Sequence, residues 1–341
     1  MNEIQIVIFG VGPIGQRITK VVLEKKGLKI VGAIDIAKDK VGRDLGEIIG
    51  IGKKLGVIVT DDPDSLFTKI EADVALVATT SHTKTAYPQV VKCINAGMNV
   101  ISTCEELAYP WLKEPQLASE IDEIAKKHGV TILGTGINPG FFMDTFPLVL
   151  TGLCREVKRI EASRTIPTAS RRASFQKKIG TGMTPKEFRK KINEGEITGH
   201  VGFQESVALT AAALGLKLDE IKELPPELVI AEEEVKTTYT TVRPGQMLGY
   251  IDIVKGIANG KEVIIYKLVM HGAVKEGYEE YIIEGTPNIR VRMSEIVGDW
   301  ETAHIVVNTI PKVINAKPGL LTMKELPPPS AILDDVRMLK P

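Results

Sequence analysis

The sequence predicts an α/β protein, a Rossmann doubly wound parallel sheet joined to a second, mixed α+β domain. Three observations carry that prediction. Short β-branched runs alternate with helical stretches up to about Pro147, the rhythm of βαβ units around a parallel sheet. A glycine-rich turn, Gly10-Val11-Gly12-Pro13-Ile14-Gly15, follows the first of those runs. Beyond Pro147 the pattern shifts to long alternating segments that include a hairpin signal.

In chain order, the expected strands of the first part are Ile4–Phe9, Lys29–Asp35, Gly56–Thr60, Asp73–Ala78, Asn99–Ser102 and Thr131–Leu133. Helices are expected at Gln16–Lys25, Thr85–Ala96 and Gln116–His128, with Gly27, Gly97 and Gly129 as the left-handed residues that stop them. Val157–Pro167 reads as a strand, followed by a basic loop, a glycine-rich turn and helices through Lys217. Strands then follow at Glu234–Val242, Leu248–Ile257, Glu262–His271, Tyr278–Glu284 and Ile289–Met293. Asn259-Gly260 between two of them demands the positive φ angles of a two-residue hairpin turn. Trp300–Ile314 looks helical, and Pro327-Pro328-Pro329 marks an extended tail. The expected domains are residues 1–147 and 148–298, with 299–341 returning to the first by analogy with similar layouts.

Composition narrows the function. Lys+Arg and Asp+Glu stand at 43 each in 341 residues, so no global field draws in nucleic acid or an anionic membrane. No apolar run reaches membrane-spanning length, and Met1-Asn2-Glu3-Ile4 leads into a strand without a basic or long apolar leader. Cys93, Cys104 and Cys154 are scattered, with no CxxC and no Cys/His cluster. That usage fits a reducing, cytoplasmic setting, and neither a disulfide framework nor a metal site is expected.

The turn at Gly10–Gly15 is a GxGxxG set between a strand and a helix. Gly10 permits the tight turn, Gly12 lets backbone approach a pyrophosphate, and Gly15 lets the helix pack on the strand, with Pro13 and Ile14 opening that helix. The helix N-terminus offers free N–H groups to phosphates. Asp35 ends the second strand roughly 20 residues after the last glycine, where a carboxylate accepts ribose hydroxyls and favours NAD. Lys38, Lys40 and Arg43 follow it and can receive a 2′-phosphate, so NAD and NADP both remain open. Thr79, Thr80 and Ser81 follow the fourth strand at the ligand edge, where small side chains let a cofactor lie across the loop. His82 is either a contact there or a solvated loop residue.

Ser102-Thr103-Cys104-Glu105-Glu106 follows the fifth strand. A carboxylate beside a nicotinamide can take a proton from an amine or alcohol, or position water. Adjacent side chains diverge, so one glutamate faces the cofactor, with Glu105 ahead of Glu106; otherwise both merely begin a helix. Asn138, in the loop Gly134–Gly140 after the sixth strand, is either a carboxamide contact or part of an interdomain turn. In the second domain, Arg171 and Arg172, Gln176, Lys177 and Lys178 surround a glycine turn that suits a substrate carboxylate, or form a solvated face. His200 and Glu205 open a helix and are candidates to line the substrate cleft, whereas His128, His271 and His304 read as structural.

Taken together, these segments resemble the 2,4-diaminopentanoate dehydrogenases, within the broader superfamily related to dihydrodipicolinate reductase. The likeness runs through Gly10–Gly15, Ser102–Leu107 with Tyr109-Pro110-Trp111, Gly134–Asp144, Phe175–Met183 and Gly199–Ser206. It continues through Asn308–Pro311 and Pro318–Leu320. The resemblance implies oxidative deamination at C4 of a diamino acid with NAD or NADP, in ornithine fermentation, and a homodimer through the second domain's sheet. It also implies that Glu105 handles the amine and the attacking water. Related sugar-type oxidoreductases place Glu-Lys-Pro after the fifth strand, where this chain has Cys104-Glu105-Glu106. Dihydrodipicolinate reductases carry paired histidines, and this chain has no adjacent histidines. Both departures favour an amine substrate. The alternatives left open are an amine dehydrogenase for another small ketone or keto acid, and a dinucleotide-binding sensor without catalysis.

Overall fold

A computed structural model describes residues 2–171, 173–197, 200–294 and 298–339. Arg172 and Gly199, both in motifs singled out above, lie outside the described residues. The chain divides into two units, Met1–Phe141 with Val297–Pro341, and Phe142–Ile296.

The first unit begins with β1 (Ile4–Phe9), α1 (Pro13–Glu24), β2 (Leu28–Ile34), α2 (Leu45–Ile48), β3 (Val59–Thr60), α3 (Pro63–Phe67) and β4 (Val74–Val77). It continues with α4 (Thr83–Asn95), β5 (Asn99–Ser102), α5 (Pro115–His128) and β6 (Thr131–Gly134). The strands read as unbroken apolar runs because helices cover both faces of a parallel sheet; all four residues of β4 are buried. Helix α1 starts on Pro13, whose missing N–H costs nothing in the first turn, and buries Ile18, Val21 and Val22 on one face. Helix α5 stops at Gly129, with φ 71°.

The second unit runs α6 (Thr145–Thr151), β7 (Glu156–Pro167), α7 (Ala173–Lys178), α8 (Pro185–Asn193), α9 (Phe203–Ala213), β8 (Glu220–Glu223) and β9 (Glu227–Ile230). It then has β10 (Val235–Lys236), β11 (Thr241–Val242), β12 (Met247–Ala258), β13 (Lys261–His271), β14 (Tyr278–Thr286) and β15 (Ile289–Ser294). The main sheet has the order β15-β14-β7-β13-β12-β8, with β9 also on β12. Only β7 and β13 pair in parallel, so the sheet is mixed. Asn259 and Gly260 turn β12 into β13 with φ of 51° and 71°, the left-handed pair that matches strand twist.

One expected strand fails. Glu234–Val242 is not continuous but folds on itself as β10 and β11, with Val235 opposite Val242. The cause is Thr237, whose hydroxyl accepts the Tyr239 and Thr240 amides at 3.1 and 2.9 Å and donates to the Thr240 carbonyl. A side chain that satisfies nearby backbone in this way competes with the ladder and makes a turn.

After the second unit the chain adds α10 (Asp299–Ile314) and β16 (Gly319–Leu321) to the first. Val306, Val307, Ile310 and Val313 of α10 share one buried cluster with Ile18, Val21 and Val22 of α1. Strand β16 pairs in parallel with β6, completing the order β16-β6-β5-β4-β1-β2-β3. Strand order therefore reverses between β1 and β4, the switch point where ligands of such sheets collect.

Candidate active site

All the first unit's candidate residues follow the carboxyl ends of parallel strands. The three glycines after β1 differ in what surrounds them. Gly10 has φ +99°, and a Cβ there would meet the Ala78 carbonyl oxygen at 2.5 Å. A Cβ on Gly15 would lie 1.8 Å from the Gly10 carbonyl oxygen, so helix and turn touch backbone to backbone. A Cβ on Gly12 would meet nothing within 4 Å. Two glycines thus shape the turn, and the third faces open space. Gly12 is also the N-cap of α1, which has no side-chain cap and no acid in its first turn. Its exposed N–H groups and positive dipole end suit a pyrophosphate. The residues present fit a dinucleotide.

Asp35 closes this loop from β2. Its Oδ1 accepts the Ala37 amide at 2.8 Å, and Oδ2 accepts the Val11 amide at 2.8 Å and Lys40 Nζ at 3.0 Å. Burial opposes its charge, but the Ala37 amide, the Lys40 ammonium and the Val11 amide together hold the carboxyl below its ordinary range.

After β4, Thr79 Oγ1 hydrogen-bonds Gln89 Oε1, and Thr80 Oγ1 accepts the His82 amide at 3.4 Å. After β5, the two glutamates separate. Glu106 is buried; its Oε2 accepts the Thr83 amide at 2.9 Å and its Oε1 lies 3.0 Å from His82 Nδ1. It therefore caps α4, whose N-cap residue His82 makes no side-chain cap of its own. Burial works against this carboxylate, while His82, the Thr83 amide and Lys113 draw it below its ordinary range. Glu105 is half-buried. Its segment is pressed against β6 because Gly134 has no side chain: a Cβ there would lie 2.3 Å from the Leu107 carbonyl carbon. Asn138 follows β6 in a loop closed on itself, where a Cβ on Gly140 would meet the Gly136 nitrogen at 2.3 Å.

The remaining candidates belong to the second unit. Gln176 is fully buried and spends its Nε2 on the carbonyls of Ala169 and Arg171 and on Thr238 Oγ1, at 3.0, 2.7 and 2.9 Å. It ties down the loop that carries Arg171. Lys177 sits 5.3 Å above the Tyr239 ring. His200 stacks obliquely on Phe203, and burial, then the charges of Lys178 and Arg164, push its ring down to about 4. It is consequently neutral near pH 7. Glu205 is fully buried in the first turn of α9.

Sequence reasoning missed a further group of buried polar residues in the second unit. Arg164 and Glu279 face each other across β7 and β14, 2.9 Å apart and almost fully buried. Asp144 accepts Ser206 Oγ at 2.9 Å, and Thr210 Oγ1 lies 2.6 Å from the Tyr266 hydroxyl. The available signal was a charged residue at an inward strand position, since Ile160, Ala162, Arg164 and Ile166 are the buried alternates of β7.

Asp252, buried on β12, gives a pH-dependent prediction. Burial and the neighbouring Glu223 raise its carboxyl to about 7, against one stabilising His200 amide. A carboxyl raised on folding stabilises most where both states are protonated, below about 4. That contribution falls as pH climbs to about 7. Asp252→Asn is therefore expected to gain on the wild type between pH 5 and pH 8, by about 3 kcal/mol. Denaturant unfolding at the two pH values measures it, and a gap independent of pH would refute the assignment.

The chain is similar to known proteins over nearly its whole length. The family model of the 2,4-diaminopentanoate dehydrogenase C-terminal domain matches residues 141–340, and that of the dihydrodipicolinate reductase N-terminus matches residues 4–133. A 2,4-diaminopentanoate dehydrogenase from Acetoanaerobium sticklandii is 36% identical over 99% of this chain and 98% of its own. An amine dehydrogenase from Streptomyces virginiae is 25% identical over 95% of this chain and 96% of its own. The structure of an amine dehydrogenase from Mycobacterium smegmatis superposes with a TM-score of 0.84 at 27% identity, covering 98% of each chain.

Proposed function

The chain belongs to the 2,4-diaminopentanoate dehydrogenase family, and from that premise we propose that it oxidatively deaminates 2,4-diaminopentanoate to 2-amino-4-oxopentanoate with NAD or NADP. The observation that carries the reading is the division of labour after β5. Glu106 is committed to the cap of α4, and Glu105, half-buried at the same sheet edge, is the carboxylate assigned to the chemistry.

The dinucleotide, when bound at Gly10–Gly15 and Asp35, supplies the hydride acceptor for C4. Glu105 first removes a proton from the C4 ammonium, because only the free amine can push electrons toward the leaving hydride. The same carboxylate then directs water onto the C4 imine, and C–N cleavage releases ammonia. One water is consumed, and an ammonium ion, a proton and the two-electron-reduced nicotinamide are released with the ketone. Thr79, Thr80, Ser81 and Asn138 line the nicotinamide half in this reading. The substrate carboxylate is taken by a cation of the segment that carries Arg171 and Lys177, and neutral His200 is suited to hydrogen bonding rather than ion pairing.

No helix among the described residues is long and apolar enough to cross a membrane, and the three free cysteines suit the reducing cytoplasm. We assign a homodimer through the sheet face turned away from α9. Ile253, Ile265, Val269 and Ile282 are half-exposed there, mixed with Glu161, Lys267 and Glu280.

The test is nicotinamide reduction, followed by absorbance, with the purified protein supplied with 2,4-diaminopentanoate and NAD or NADP in separate runs. Turnover with release of ammonia is expected, and light scattering on the same sample should give twice 37.2 kDa. Failure with this diamine but reductive amination of another small ketone would move the substrate assignment. A monomer would remove the dimer.

A further inference from the structure

We propose that Lys40 is the residue that admits the 2′-phosphate of NADP, acting as a clamp on Asp35 that lets one corner of the site read either dinucleotide. The inference rests on the dinucleotide reading of the first unit and goes beyond it, because that reading leaves the two cofactors undistinguished.

A lone carboxylate at the end of β2 accepts ribose hydroxyls and repels a 2′-phosphate. The Asp35 carboxylate is not alone. A carboxylate has about four acceptor positions, and the Val11 amide, the Ala37 amide and Lys40 Nζ occupy three of them. One position, on Oδ1, remains for a ribose hydroxyl. Lys40 has three N–H donors, of which Asp35 takes one, so two charged donors remain at the same corner. One acceptor beside two cationic donors complements either a ribose diol or a hydroxyl next to a phosphate.

The pair is also held in place. Asp35 and Lys40 side chains are only 11% and 19% exposed, so their attraction is less screened than that of a surface pair. The Lys40 and Val41 amides both donate to the Ala37 carbonyl, and the Gly42 amide donates to Val59 of β3. Asp44 then gathers the amides of Gly46, Leu55 and Gly56 onto its buried carboxylate. The loop bearing Lys40 is thus stitched to the sheet edge before any ligand arrives. The other two cations of the loop are placed differently. Lys38 is exposed, and Arg43 donates to the Asp39 carbonyl at 3.0 Å. Among the described residues neither forms an ion pair with Asp35. Ile36, directly after Asp35, is 84% exposed, an apolar surface of the kind a purine base covers.

Binding of NADH and NADPH to the full chain, followed by nicotinamide fluorescence at low ionic strength, tests this without reference to turnover. The wild type is expected to bind both. Lys40→Met should weaken NADPH about 10- to 100-fold, the loss typical of a hydrogen-bonded charge pair, while NADH changes less than about threefold. Lys40→Arg should restore NADPH binding. An unchanged NADPH-to-NADH ratio in Lys40→Met would overturn the inference, as would a wild type that binds NADH alone. A wild type that binds neither dinucleotide would instead remove the dinucleotide reading, and this inference with it.

Discussion

Glu105→Gln is expected to lower kcat for amine oxidation by about 10²- to 10⁴-fold, the range of a lost general base, with dinucleotide binding unchanged. Glutamine keeps the size and the hydrogen-bonding ends of the side chain, so what it removes is the ability to accept a proton. Glu106→Ala should behave in the opposite way. Glu106 holds the Thr83 amide and His82, and losing that helix cap costs about 1 kcal/mol of stability before it touches the chemistry. The linked pH dependence has a definite sign. The folded Glu106 carboxyl lies below its ordinary range, so its contribution is present above the unfolded value and disappears as pH falls through the folded one. Single-turnover rates together with nicotinamide binding separate the two variants. If Glu105→Gln turned over like the wild type while Glu106→Ala did not, the roles assigned to the two residues would have to be exchanged.

The fold and part of the site were legible in the sequence because their causes are local. Gly10, Gly12 and Gly15 sit between a strand and a helix, where the positive φ of Gly10, the contact of Gly15 with Gly10 and the N-cap place of Gly12 are local, although Gly10 also meets the distant Ala78. Asn259-Gly260 specifies a hairpin by the φ values that only such residues adopt readily. Asp35 was legible as a position. Its partner Lys40 was visible only as one of three cations, because choosing among them requires the path of the loop through Gly42 and Asp44.

Where the sequence misled or fell silent, the deciding contact was distant or a side chain overrode the pattern. The commitment of Glu106 depends on the N-terminus of α4, 23 residues earlier in the chain, and no spacing rule announces that pairing. Thr237 broke an apparently continuous strand by binding its own neighbours. The ion pair of Arg164 and Glu279 was hidden because a charged residue in an alternating strand reads as outward-facing. The apolar alternates Ile160, Ala162 and Ile166 put Arg164 on the inward face, and the register of β14 against β7 sets Glu279 directly opposite it.

That pair gives the largest expected effect on stability. Arg164 and Glu279 are 4% and 1% exposed and 2.9 Å apart, and Arg164 also lies 5.6 Å over the Phe142 ring. Removing one partner of a buried pair strands the other charge, so Arg164→Leu is expected to cost about 3–5 kcal/mol. Glu279→Leu should cost a similar amount. The double variant should recover much of the loss, because replacing both charges with apolar groups removes the desolvation penalty along with the attraction. Denaturant unfolding of the three variants, read as a double-mutant cycle, gives the coupling directly. Additive losses would show that the two residues are stabilised separately and not by each other. A recovered double variant has a further consequence. If apolar residues serve the fold as well, folding does not require the pair, and a buried charge pair that the fold can do without points to a substrate role, since buried charges and perturbed groups concentrate at such sites. The recovered double variant should then fold and bind dinucleotide normally while its KM for the diamine rises. An unchanged KM would leave the pair a purely structural feature of the sheet.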